Sequence, residues 1–102
     1  AMTEDKNTLT AAEVDAELET LSGWSRDGII ISRDFVFENF KDITSFLNHL
    51  TKTITDQNHH PDFSLETGKK TIAVSVTTHS EGAVTRSDVL FARTLNAWQP
   101  EN

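Results

Sequence analysis

The sequence predicts an α+β domain in which a four-stranded antiparallel sheet carries helices on one face, in the order α-β-β-α-β-β-α. Three observations predict it. Three stretches open on helix-capping residues and continue with apolar residues at helical spacing. Four shorter runs have strand character, and the clearest of them alternates apolar with polar residues. The strand runs come in pairs joined by short turns, which makes each pair antiparallel.

The first helix starts at Thr10-Ala11-Ala12-Glu13, a capping box in which Thr10 accepts from the Glu13 amide and Glu13 reaches back. It runs to about Leu21 with Val14, Leu18 and Leu21 on one face, and Ser22-Gly23 ends it. Trp24 to Arg26 and Ile29 to Phe37 form a hairpin about the turn dipeptide Asp27-Gly28. Ile31, Phe35 and Phe37 share one parity. Arg33 shares it too, either snorkelling or pairing near a sheet end, or making a subunit contact.

Asn39 caps the second helix, whose apolar positions Phe40, Ile43, Leu47, Leu50 and Ile54 follow alternating steps of three and four, with Phe46 widening the stripe. His49 lies between stripe positions and reads as a flanking or solvated residue, and Asp56-Gln57-Asn58 ends the helix. Proline disfavours helical backbone in the residue before it, so His59-His60-Pro61 leaves the helix extended. Phe63 and Leu65 begin a strand, the chain turns over Glu66 to Lys69, and Lys70 to His79 alternates with Ile72, Val74 and Val76 on one face. Ser80 to Val84 is a loop containing Gly82. Thr85 and Asp88 have the spacing of a second capping box, opening a last helix with Leu90, Phe91, Leu95 and Trp98.

At 102 residues the chain has room for one domain, taken as residues 10–102. Residues 1–9 read as a disordered tail outside it, with Ala1-Met2 as a cloning remnant. Nine Lys and Arg stand against 16 Asp and Glu, a net charge of −7, which argues against direct nucleic-acid binding. The absence of Cys excludes a disulfide framework, a thiolate nucleophile and Cys-ligated zinc. No apolar run approaches the roughly 20 residues of a membrane span, so the expected setting is the cytoplasm, away from membranes. A hydrophobic share of 36% is lean for so small a domain, and self-association would complete its core.

The chemistry concentrates at element ends. His59 and His60 follow a helix, and His79 ends a strand that returns beside them, with Asp88 beyond a short loop. Imidazoles, with ordinary pKa near 6.5, suit proton exchange around neutrality. Each residue also has a structural reading: Asp88 as the acidic member of a helix-start box, His79 as a strand-end residue. As a metal site the set is poor, for it lacks His-x-x-x-His, and neighbours in an extended segment point to opposite sides. That geometry suggests that one of His59 and His60 faces a ligand while the other orients or flanks it.

Taken in order, Gly23-Trp24, Arg33-Asp34-Phe35-Val36-Phe37, Asn39-Phe40, His59-His60-Pro61, Phe63, Thr78-His79 and Asp88 resemble the pterin-4a-carbinolamine dehydratase family from about Leu18 to Trp98. Phe63 stands where the family usually has Trp, and Arg86-Ser87 replaces a common acidic-basic pair. The resemblance implies a hydro-lyase acting in tetrahydrobiopterin recycling. It would dehydrate a 4a-hydroxytetrahydropterin to the quinonoid dihydropterin, protonating the C4a hydroxyl and taking the N5 proton. No metal, thiol or redox cofactor is needed. It further implies His59, His60 and His79 as acid, base or orienting groups, with His60 and His79 foremost, and Asp88 tuning His79. Pro61 would wall the ring, Phe63 would join the binding surface, and Thr78, His79, Ser80 and Glu81 would contact the ring edge. A homodimer or homotetramer is implied as well. The alternative on the same fold is a non-catalytic dimerisation cofactor of a transcription factor.

Overall fold

In the computed structural model, which describes residues 5–100, the first capping box forms as the sequence predicts. The Glu13 amide donates to Thr10 Oγ1 at 3.1 Å and the Thr10 amide donates to Glu13 Oε1 at 2.9 Å. Helix α1 covers Ala11–Leu18, and the chain then bends so that Leu21, beyond the helix, is still buried. Strands β1 (Ser25–Asp27) and β2 (Ile30–Val36) follow, then α2 (Phe40–Gln57), β3 (Asp62–Glu66), β4 (Thr71–Val76) and α3 (Arg86–Asn96). Short 3-10 turns cover Thr67–Lys69 and His79–Glu81.

The four strands form one antiparallel sheet in the order β1-β2-β4-β3, so the α2 crossover lets β4 insert between β2 and β3. Alternation decides the faces. Ile31 and Phe35 of β2 lie opposite Val76 and Ile72 of β4, and all four are buried on the helix side with Val74. Ile43, Phe46 and Leu50 of α2 and Phe91 and Leu95 of α3 close over them. Phe46 sits at the centre, with ring centroids 4.5 Å from Phe35 and 5.2 Å from Phe37. Offset aromatic pairs of this kind add about 0.5–1.5 kcal/mol beyond burial. His49 flanks the stripe as expected, its Nε2 donating to the Thr94 carbonyl at 2.7 Å across the α2–α3 seam.

Three local expectations change. The first turn is Gly28-Ile29 rather than Asp27-Gly28: Asp27 stays in the ladder opposite Ile30, and Gly28 takes the positive φ of +62°. Phe40 and Leu90 fit their helical periods yet are half exposed. The tail is not wholly outside the fold. Asp5 and Asn7 carbonyls accept from the Ser87 and Arg86 amides at 2.9 and 3.0 Å, and Leu9 donates to the Val84 carbonyl at 2.9 Å. The first N–H groups of a helix have no partner within it, and here the incoming chain supplies acceptors. Ala1-Met2 lies outside the described residues.

Arg33 takes the internal role. Its Nη1 donates to Ser22 O at 2.9 Å and Asn96 Oδ1 at 2.7 Å, and its guanidinium lies 4.3 Å from the Phe35 ring centroid. Partial burial lowers its pKa from the ordinary arginine value. Gly23 makes room for it: a Cβ there would stand 2.6 Å from Arg33 Nε, and φ is +85°.

Glu17 ties α1 to α3, accepting from Arg86 Nη1 and Arg93 Nη2, each at 2.6 Å. The hydrogen bonds from Arg86, then Arg93, lower the Glu17 pKa. A lowered folded-state value stabilises the fold above the unfolded glutamate pKa of about 4.3 and is lost as pH falls through the folded one. The site is partly exposed, so Glu17→Gln will cost no more than about 1 kcal/mol at pH 7. Urea titrations at pH 7 and pH 3 check this: the gap between the two proteins must shrink at the lower pH.

Candidate functional site

Helix α2 ends because Asn58 adopts a left-handed conformation, φ 49°, which turns the chain into His59-His60-Pro61 and on into β3. In this segment the two neighbouring histidines separate: His59 is 3% exposed, whereas His60 is exposed. The β3–β4 hairpin pairs Asp62 with Ser75, bringing the end of β4 back beside His60. Beyond Val76 the chain continues through Thr77 and the buried Thr78 into the 3-10 turn at His79, which closes on Gly82 with φ 58°. His79 therefore begins a turn rather than ending a strand.

The histidines meet as predicted. A cleft of about 160 Å³ is lined by Lys6, His59, His60, Thr77, Thr78, His79 and Ser80. An adjoining crevice places His60 and His79 with Ile30 and Thr77. Lys6 brings a positive charge to the rim, its Nζ donating to Ser80 Oγ at 3.2 Å. Pro61 is half-buried and lies outside both spaces, as do Phe63 and Glu81. Phe63 is 44% exposed on edge strand β3 and lines a trough on the sheet, and Glu81 accepts from Ser80 Oγ at 3.1 Å.

Asp88 is the best-held group of the set. It is fully buried, and its Oδ1 meets His59 Nε2 at 2.5 Å. Its Oδ2 accepts from Thr78 Oγ1 and from the Thr85 amide, both at 2.8 Å. The capping-box position is thus real, and it delivers the carboxylate to His59, not to His79 as expected. The reason is depth: His59, 3% exposed, is buried with Asp88, while His79 stands on the exposed turn. Because a carboxylate only accepts, the bonded nitrogen, Nε2, carries hydrogen. Thr78 lines the cleft, and its hydroxyl donates inward to Asp88. Thr85, 0% exposed, and Ser87, 4% exposed, complete this polar cluster and escape a reading of the sequence. Thr85 was legible as a helix cap, but nothing in its spacing shows that the same hydroxyl meets Thr78.

Such a site belongs to a small α+β protein able to exchange protons with a bound ligand: two exposed imidazoles flank a cleft, and a carboxylate fixes a third. Residues 7–98 match the family model described as pterin 4 alpha carbinolamine dehydratase, and the chain belongs to that family. A relative from Sulfurisphaera tokodaii is 36% identical over 86% of this chain and 92% of its own. One from Mesorhizobium japonicum is 36% identical over 93% and 95%, and both are provisionally named pterin-4-alpha-carbinolamine dehydratases. A solved structure from Brucella melitensis, titled as a transcriptional coactivator/pterin dehydratase, is 31% identical with a TM-score of 0.82, covering 89% of this chain and 97% of that one. Among the described residues no helix is long and apolar enough to cross a membrane.

Proposed function

We propose that this protein is a hydro-lyase that dehydrates 4a-hydroxytetrahydropterins to quinonoid dihydropterins by histidine acid–base catalysis, serving tetrahydrobiopterin recycling in the cytoplasm. The observation that carries the reading is the single cleft shared by His59, His60 and His79, with Asp88 bonded to the deepest ring. The reaction breaks the C4a–O bond: one group protonates the leaving hydroxyl, which departs as water, and another removes the N5 proton as the C4a=N5 bond forms. Both steps are proton transfers, each typically worth 10²–10⁴-fold when a positioned group performs them. His60 and His79, exposed at the cleft, exchange these protons, and His59 is held in register by Asp88.

The test follows the absorbance decay of freshly generated 4a-hydroxytetrahydropterin in EDTA. Faster decay with protein present supports a dehydratase that needs no dissociable metal. An unchanged rate with folded protein favours the second reading, a binding module, supported by the description of the Brucella melitensis protein as a transcriptional coactivator as well as a pterin dehydratase.

The homodimer or homotetramer is part of the same proposal. Edge strand β3 leaves Phe63 44% and Leu65 38% exposed, apolar surface that a second copy would cover. Light scattering at micromolar concentration will give at least twice the 11.4 kDa chain mass, and a monomer mass would defeat this.

A further inference from the structure

Beneath the cleft lies a row of buried hydroxyls whose order has a direction. Thr78 Oγ1 donates to Asp88 Oδ2 at 2.8 Å, and a hydroxyl has only one hydrogen to give. The 2.7 Å contact between Thr78 Oγ1 and Thr85 Oγ1 then takes the Thr85 hydrogen, whose other acceptor, Asp88 Oδ2, lies farther off at 3.5 Å. By the same count, Ser87 Oγ donates to Thr85 Oγ1 across their 2.6 Å contact. Every donor therefore points one way, from Ser87 through Thr85 and Thr78 to the Asp88 carboxylate. Hydrogen bonds aligned head to tail polarise and strengthen one another in a low-dielectric interior. With Oδ2 held by Thr78 and by the Thr85 amide, Oδ1 is left to His59 Nε2.

We propose that Ser87, Thr85 and Thr78 are positioning residues, a one-way hydroxyl chain that fixes the Asp88 carboxylate and thereby the place of the His59 ring bonded to it. Its kinetic consequence rests on the dehydratase reading, while its structural consequence does not. Thr78 acts through Asp88 and His59, so its loss weakens the chemical step more than substrate binding. A hydroxyl, not a shape, is what the position requires. Serine can serve there and valine cannot.

The experiment uses the full chain as wild type, Thr78→Val and Thr78→Ser, with 15N spectra of the histidine rings and steady-state dehydration kinetics. The wild type will show hydrogen on His59 Nε2 bonded to the carboxylate, and Thr78→Val will shift that Nε2 resonance as the carboxylate loses its hydroxyl donor. Its kcat will fall about 10–100-fold with KM changed less than about twofold, as for the loss of an outer partner of a positioned imidazole. Thr78→Ser will restore the resonance and most of kcat. A folded Thr78→Val with the wild-type Nε2 resonance and kcat overturns the proposal. Should that variant fail to fold, Ser87→Ala at the far end of the chain decides: a shifted His59 Nε2 resonance supports the chain, and an unchanged one overturns it. If the wild type itself lacks dehydratase activity, the functional reading fails, and the ring spectra alone judge the chain.

Discussion

Asp88→Asn will lower kcat for dehydration by about 10²–10⁴-fold while leaving the protein folded. The amide has the carboxylate's shape, so its oxygen can take the place of Oδ2 and accept from Thr78 and the Thr85 amide. Its NH₂ group then faces His59 Nε2, which must become an acceptor. That reverses the bond which holds the ring in register, and the Nε2 hydrogen is lost from its place. Asp88→Ala differs in kind. It strips the acceptor from Thr78, from the Thr85 amide and from His59 in a fully buried place, and leaving such donors unsatisfied costs about 1–3 kcal/mol each. Circular dichroism and kinetics side by side check both claims. An Asp88→Asn protein with wild-type kcat would show that the carboxylate serves the helix start alone.

His60→Ala and His79→Ala will each reduce kcat/KM by about 10²–10⁴-fold, with melting temperatures close to wild type. Both rings are exposed, so truncating them opens no core cavity. The loss must therefore be chemical. Lys52→Ala is the control: Lys52 lies on the outer face of α2, paired with Asp56 four residues on, away from the cleft. Direct pterin binding to the same proteins separates the roles further. A His60→Ala protein that binds and turns over pterin like the Lys52→Ala protein would mean the site lies elsewhere.

Much of the fold was legible because each element announces itself over a short stretch. The Thr10-Glu13 box, the Asn39 cap, whose Oδ1 accepts from the Asp42 amide at 2.9 Å, and the Ile72-Val74-Val76 alternation are local patterns that local energetics enforce. The turn slipped by one residue because Asp27-Gly28 and Gly28-Ile29 both place Gly28 in the loop, and the ladder register decides between them. Lys6, set aside with the tail, reaches the cleft rim through pairings that join residues more than seventy apart.

The sequence by itself determined the helices and strands, the choice of buried face, the absence of thiol chemistry and the His59-His60-Pro61 and Thr78-His79 segments that carry the family resemblance. Only the tertiary structure decided which imidazole meets Asp88, that Thr78 faces inward, and that Thr85 and Ser87 line up behind it. The physical reason lies in range. Periodicity and capping are set by neighbours within a turn of the chain, whereas a hydrogen bond between residues 29 apart, such as His59 and Asp88, depends on how deeply each packed element seats its side chains.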